Sequence, residues 1–406
     1  MVFQGILMKK VLIIAATVLA LTACSSKKQE PMSVRMVRSE MARCQDAKWL
    51  DFKEGQLSWN YTPGLELRSF LDVYRTYGGE DIYEYVERWY DEIISEQEGG
   101  VSIQGYKLLS YNVDKVCPGK NLFYLYRRTG KAKYAQAADT LYTQLQNHPR
   151  TSDGGLWHKA IYPHQIWLDG LYMAPPFYVE YAATRLEGEA RAEAFRDIAN
   201  DFIVAAKHTY DPATGLYRHA WDESRSMFWC DPETGQSQHC WGRALGWYCM
   251  GLEDVLDWLP EDSMAEERGQ LIEILRGIYE VLPRYADPAT GLWYQVLDQP
   301  GREGNYLEST CCAMFSYALL KGVRLGYLDA SLKQYAIDTY NAVVKQFITE
   351  DADGLLSIKD CCSVGGLGGK QMRMGDYAYY LSEPIRDNDP KGVGPFIWAS
   401  LEMEQL

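Results

Sequence analysis

The chain has 406 residues, with 41 Lys plus Arg against 55 Asp plus Glu, a formal net charge of −14. Hydrophobic residues at 47% and charged residues at 24% describe a globular chain and exclude a disordered one. The acidic balance argues against nucleic-acid binding, which needs a basic face; 30 Tyr and 12 Trp fit a sugar-stacking surface and a large helical core equally well.

From Met8 the chain reads MKKVLIIAATVLALTACSS: two lysines, an apolar run from Val11 to Leu21, then Leu21-Thr22-Ala23-Cys24. A short apolar run behind positive charge predicts a secretory signal and is too short for a stable membrane span. Its end resembles a bacterial lipobox, cut before Cys24 and acylated on that cysteine. The expected organisation is upstream residues and signal over 1–23, a tether over 24–35 and one folded domain over 36–406. Ser25, Ser26, Lys27 and Lys28 follow the cysteine without an acidic run of the kind that resembles a surface-export tag. The expected location is a membrane tether facing the periplasm.

Apolar spacing then predicts helices near 34–54, 59–77, 80–98, 118–129, 131–147, 165–187, 190–209, 241–258, 262–286, 307–326, 330–349 and 394–405. Some are amphipathic: Phe195, Ile198, Ala199, Phe202 and Ile203 form one face with charge opposite. Others are apolar all round. Ile166 to Val179 holds one charge, Asp169; Trp241 to Leu252 holds Arg243; Leu307 to Leu320 holds Glu308. A helix apolar on every side is buried on every side. Alternating half-buried and fully buried helices describe two concentric layers, and twelve helices in six hairpins predict an all-α (α/α)6 toroid.

An Asp-rich turn recurs in SDGGLW, DPATGLY, DPATGLW and DADGLL, at Asp153, Asp211, Asp287 and Asp351. Spacings of about 60 to 75 residues fit a repeated two-helix unit, with the turns structural. The ten cysteines show no C-x-x-C, and no paired histidines have zinc spacing. No metal or other cofactor is expected. In a toroid with parallel inner helices, the first turns carrying Asp169, Arg243 and Glu308 converge on one mouth. Loops into the same helices bring Asp114, His158, Lys159 and His219, among Trp167, Trp221, Trp241 and Trp247. Such a pocket suits an anionic sugar.

The segments WHKAIYPHQIWLDGLYMAPPFYVEYA, HAWDES, CWGRALGWY, EGNYLEST and CCSVGGLGG…YYLSEPIRDNDPKGVGPF are similar to glycoside hydrolase family 105, the unsaturated rhamnogalacturonyl hydrolases. The resemblance covers the chain after about residue 35 and implies the same (α/α)6 barrel. It makes Asp169 in WLDGLYMA the general acid and Asp114 in YNVDKVCPG a second active-site aspartate. It places Tyr61, His158, Lys159, His219, Trp241, Arg243 and Trp247 against substrate. His-Ala-Trp at 219–221 departs from a pattern with glycine in the middle, which concerns loop shape.

The implied reaction removes a Δ4,5-unsaturated uronic acid, galacturonic type favoured, from the non-reducing end of lyase-made oligosaccharides. An unsaturated rhamnogalacturonan disaccharide is the model substrate, and an upstream polysaccharide lyase the functional partner. Two alternatives stand beside it. One is an unsaturated glucuronyl hydrolase acting on glycosaminoglycan, ulvan or arabinogalactan products; the other is a non-catalytic oligosaccharide-binding lipoprotein.

Overall fold

The computed structural model describes residues 30–406. The expected signal, Cys24 and the tether up to residue 29 lie outside the described residues. Helix begins earlier than the expected domain start, at Met32 rather than after residue 35. Met36 and Val37 are buried there, and Ser33 donates through its backbone N–H and its hydroxyl to Glu404.

Six helices form an outer layer: Met32–Arg43, Glu80–Ile93, Ala132–Gln146, Gly188–Thr209, Ala265–Val281 and Lys333–Phe347. Six helical segments line the bore. They are Tyr61–Tyr77, Cys117–Asn121 running into Leu122–Thr129, Gly170–Met173 with Pro175–Arg185, Gly242–Leu256, Ser309–Leu325 and Pro390–Met403. Sequence and position agree. In Glu80–Ile93 the buried residues are Ile82, Tyr83, Tyr85, Val86, Trp89, Tyr90 and Ile93, a single helical face. In Gly242–Leu256 every residue except Asp254 is buried. Pro390–Met403 packs on both Ser309–Leu325 and Tyr61–Tyr77, closing an (α/α)6 toroid. Inner helices all start at one end, the mouth, and finish at the other, the base.

Several expected helices are shorter than their apolar pattern, each for a local reason. The first ends at Arg43; Asp46 then caps a 3-10 turn, Ala47–Phe52, and left-handed Asp51 and Phe52 stop it. The third stops at Ile93, where Ile94–Gln97 and Gly100–Ile103 pair as a hairpin. Within 165–187, Gln165–Trp167 is a strand, and Pro175 restarts the helix that breaks at Ala174, because prolines lack the N–H that an interior position needs. Pro283 likewise turns the end of 262–286 into a 3-10 turn, Leu282–Tyr285. A short helix, Tyr377–Ser382, was not foreseen.

The recurring turns are structural, as expected. Asp211 accepts from Ala213 N–H and the Thr214 hydroxyl, and Asp287 accepts from Thr290 N–H and hydroxyl. Gly215 and Gly291 follow at φ 75° and 73°, a conformation glycine enters freely. The nine cysteines among the described residues are free.

Candidate active site

A two-stranded ribbon carries the first wall of the site. Gln165–Trp167 pairs antiparallel with Ala220–Asp222, placing Trp167 opposite Ala220 and Ile166 opposite Trp221. Alternation along a strand sends these pairs to opposite faces. Trp167 and Ala220 join Trp229 and Leu367 in a small cluster of their own, whereas Ile166 and Trp221 belong to the main core. Trp221, expected beside the pocket, instead stacks on His208 at 3.7 Å and donates to Thr234 O.

Asp169 lies two residues beyond this ribbon, just before Gly170–Met173. A carboxylate there usually caps its helix. This one does not: its side chain makes no capping bond. Oδ2 is buried without a hydrogen-bond partner and lies 3.2 Å from His219 Nε2, which is equally unpartnered. His219 Nδ1 pairs with the Tyr380 hydroxyl at 2.8 Å. Burial holds that phenol well above its usual pKa, so it keeps a proton to donate. The Tyr380 contact at Nδ1 leaves Nε2 as the ring nitrogen that faces Asp169.

Asp114 sits on the 3-10 turn Val113–Lys115, held by Asn112 Oδ1, which accepts its N–H at 3.0 Å. Lys159 Nζ stands 2.5 Å from Asp114 Oδ2 and His158 Nε2 3.6 Å from Oδ1. Although burial opposes ionisation, the Lys159 ammonium holds this carboxyl below its ordinary pKa. Burial and the Lys159 charge push His158 down to about 3, so it is neutral at working pH. Its ring lies flat on Trp167 at 4.5 Å, and Tyr162 also stacks on Trp167, at 4.9 Å. The side chains of Asp169 and Asp114 are 14% and 12% exposed, enclosed but reachable.

The second wall comes from the start of Gly242–Leu256. Trp241 lies 4.8 Å from His219 and donates to Gln295 Oε1. Arg243 is only 1% exposed; its guanidinium lies 4.6 Å over Trp241, and Nη1 donates to Cys362 O. Trp247 forms the floor, edge-on to Tyr61 at 6.3 Å and stacked on Tyr172 at 4.9 Å. The Tyr61 hydroxyl is held far above its ordinary pKa by burial, within the fields of Arg243, Asp114, Asp389 and Asp169. The expected residues lie close together: His219 approaches both Asp169 and Trp241, Tyr61 meets Trp247, and Tyr61 lies within the fields of Asp114, Asp169 and Arg243.

Glu308 belongs to the scaffold. Fully buried, it caps Ser309–Leu325 by accepting from Thr310 and Cys311 N–H, and it also accepts from Cys362 N–H. It fixes the segment whose carbonyl receives Arg243. Tyr380, Tyr162 and Gln295 escaped sequence reasoning. Tyr380 meets His219 across 161 residues, a separation that no local pattern encodes.

The sequence model described as Glycosyl Hydrolase Family 88 matches residues 32–406. A solved family 105 glycoside hydrolase from C. acetobutylicum is similar, with 44% identity, TM-score 0.86 and coverage of 93% of this chain and 100% of that one. The unsaturated rhamnogalacturonyl hydrolase YesR of Bacillus subtilis is 26% identical over 289 residues, 68% of this chain and 74% of that protein. The unsaturated glucuronyl hydrolase of Bacillus sp. GL1 shares the fold at 15% identity, with TM-score 0.63 and coverage of 92% and 95%.

Proposed function

Because the chain belongs to Glycosyl Hydrolase Family 88 and is similar throughout to a family 105 enzyme, we propose that it hydrolyses the terminal Δ4,5-unsaturated uronic acid, galacturonic type, from lyase-generated oligosaccharides. The observation that carries this reading is the Asp169 carboxyl, which caps nothing, enclosed by rings and 3.2 Å from His219. The similarity to YesR supports a rhamnogalacturonan disaccharide as substrate.

An unsaturated uronate is a vinyl ether, whose C4 accepts a proton to leave an oxocarbenium ion at C5 and the ring oxygen. Asp169 donates that proton. Asp114, ionised under Lys159, accepts a hydrogen bond from the water that adds at C5, and the proton this water sheds returns to the Asp169 carboxylate. The resulting hemiketal opens and the glycosidic bond is released. One acid suffices, so the two-carboxylate separation that distinguishes inverting from retaining glycosidases does not apply. Trp241 and Trp247 face the ring, and Arg243 and Lys159 supply positive field for the uronate carboxylate.

The ultraviolet absorbance of the conjugated uronate tests the reaction: the enzyme should abolish it and leave a saturated disaccharide uncut. Binding without loss of absorbance would leave only a binding protein. Comparing galacturonic and glucuronic forms of one disaccharide decides the sugar.

The expected lipid on Cys24 makes this a periplasm-facing tethered enzyme fed by a lyase. Cys24→Ser should release it from membranes with the catalytic domain still active. Activity of intact cells that an external, non-permeant protease abolishes would place it outside instead.

A further inference from the structure

The segment between Cys362 and Tyr377 carries a cation that the reaction above does not use. Gly368 and Arg373 exchange backbone hydrogen bonds at 2.8 and 3.1 Å, closing a hairpin at the mouth. Arg373 Nε donates to Gly368 O at 3.2 Å and Nη2 to the Tyr162 hydroxyl at 3.3 Å. Two glycines make room for the guanidinium. A Cβ on Gly366 would lie 2.5 Å from Nη1, and one on Gly369 would lie 3.3 Å from Nη2.

Three other cations near the mouth are paired with carboxylates, and Arg243, which the proposed reaction gives to the unsaturated uronate, donates to Cys362 O. Lys159 faces Asp114, Arg218 faces Asp211, and Arg386 faces Asp51 and Asp389. Among the described residues Arg373 faces no carboxylate within salt-bridge distance; its bonds go to a neutral carbonyl and a phenol. Its partner Tyr162 belongs to the stack of Trp167 and His158, 6.5 Å from the His158 ring. An open cavity of about 710 Å³ adjoins it, lined also by Gln371, Tyr379, Glu383 and Asp376. Asp376 is engaged as the cap of Tyr377–Ser382. The volume lies within the range that holds small ligands.

We propose that Arg373 binds a carboxylate on the departing saccharide, so that a lyase product carrying a second uronate is a better substrate than the disaccharide, whose departing sugar is neutral. The inference rests on the proposed reaction. A planar guanidinium fixed in a cradle matches a planar carboxylate through paired N–H donors, and no carboxylate of the described residues, Glu383 of the same cavity included, lies within ion-pair distance of it.

The test uses two unsaturated oligosaccharides that differ only in whether the leaving sugar bears a carboxylate. Wild type should prefer the acidic one in kcat/KM by about 10-fold or more, less so as salt rises. Arg373→Gln should lower kcat/KM on the acidic substrate by about 10-fold or more and on the neutral one by less than about 2-fold. Arg373→Lys should restore only part. Gly366→Ala, which fills the cradle without removing charge, should show the same selective loss and covers the case in which Arg373→Gln fails to fold. Equal losses on both substrates, or no preference in wild type, overturn the proposal. If wild type turns over neither substrate, the reaction assignment fails separately. Titration of both oligosaccharides into Asp169→Asn protein then decides Arg373, and equal affinities reject it.

Discussion

At the base of the toroid, Arg68 meets Asp72 at 3.3 Å and Glu180 at 3.8 Å, Lys321 meets Asp257 at 2.7 Å, and Arg324 grips both oxygens of Glu402. At the mouth, Asp169 Oδ2, His219 Nε2 and His158 Nδ1 are buried without hydrogen-bond partners, and Arg373 has no carboxylate. Both ends hold space: the base encloses a cavity of about 500 Å³ walled by charged side chains. Unpartnered atoms occur at the base too: the Lys120 ammonium rests 3.5 Å above the Tyr172 ring, and both Glu253 oxygens are buried without a hydrogen bond. Cavity size therefore does not locate the chemistry. Unpaired groups that face one another beside a reachable carboxylate, as Asp169 Oδ2 and His219 Nε2 do, mark it better.

Substitutions at the two ends should separate activity from stability. The largest effect on turnover is expected for Asp169→Asn, with kcat falling at least about 100-fold, since a positioned general acid contributes about 10²–10⁴. Its melting temperature should stay near wild type because the side chain caps nothing. Near-normal loss of uronate absorbance in this variant would remove Asp169 from its role. At the base the pattern should invert. Lys321→Met strands Asp254 and Asp257 and should cost about 3 kcal/mol, the lower end for a broken buried pair because Asp257 is 41% exposed, with kcat unchanged. A parallel drop in kcat would show that base and mouth are coupled.

Arg243→Lys gives a smaller expected effect, about a 10-fold fall in kcat/KM, because a point charge cannot both hold Cys362 O and present a planar fork. A shift in KM alone, with kcat untouched, would make Arg243 a scaffold residue like Glu308. The smallest effect concerns acid stability. His158 stays neutral in the folded protein down to about 3, whereas the unfolded chain protonates it near the usual 6.5. Between those values the unfolded state binds more protons, so stability falls as pH drops from 6.5 toward 3. His158→Gln should flatten that slope in thermal melts by a few degrees; an unchanged slope would mean His158 is not held neutral.

The twelve helices were legible because their apolar spacing distinguishes half-buried from fully buried faces, and Phe195 to Ile203 and Trp241 to Leu252 sit where that spacing puts them. Their ends were less so. Phe52 in a left-handed conformation and the break before Pro175 are decided by tertiary packing and by single residues, which periodicity averages away. In the site, Asp169 and Arg243 stood out as lone charges in apolar helices. Glu308 carried the same signal for a different reason, a buried cap serving two backbone segments. Trp221 misled because in a strand one residue's step reverses the face. Tyr380 and Arg373 reach the mouth from distant sequence, so only the folded chain reveals them.

The closing of the ring has a temporal side. Pro390–Met403 is the last inner helix to be synthesised, yet it fills the gap between Ser309–Leu325 and Tyr61–Tyr77, and Trp398 bonds Asp72 from 326 residues away. Until it docks, two apolar flanks stay wet and adhesive, and such distant contacts form slowly. The final seam is therefore the vulnerable moment of biogenesis. In pulsed hydrogen exchange during refolding, amides along that seam should gain protection last, and early protection there would mean the ring grows from its seam outward.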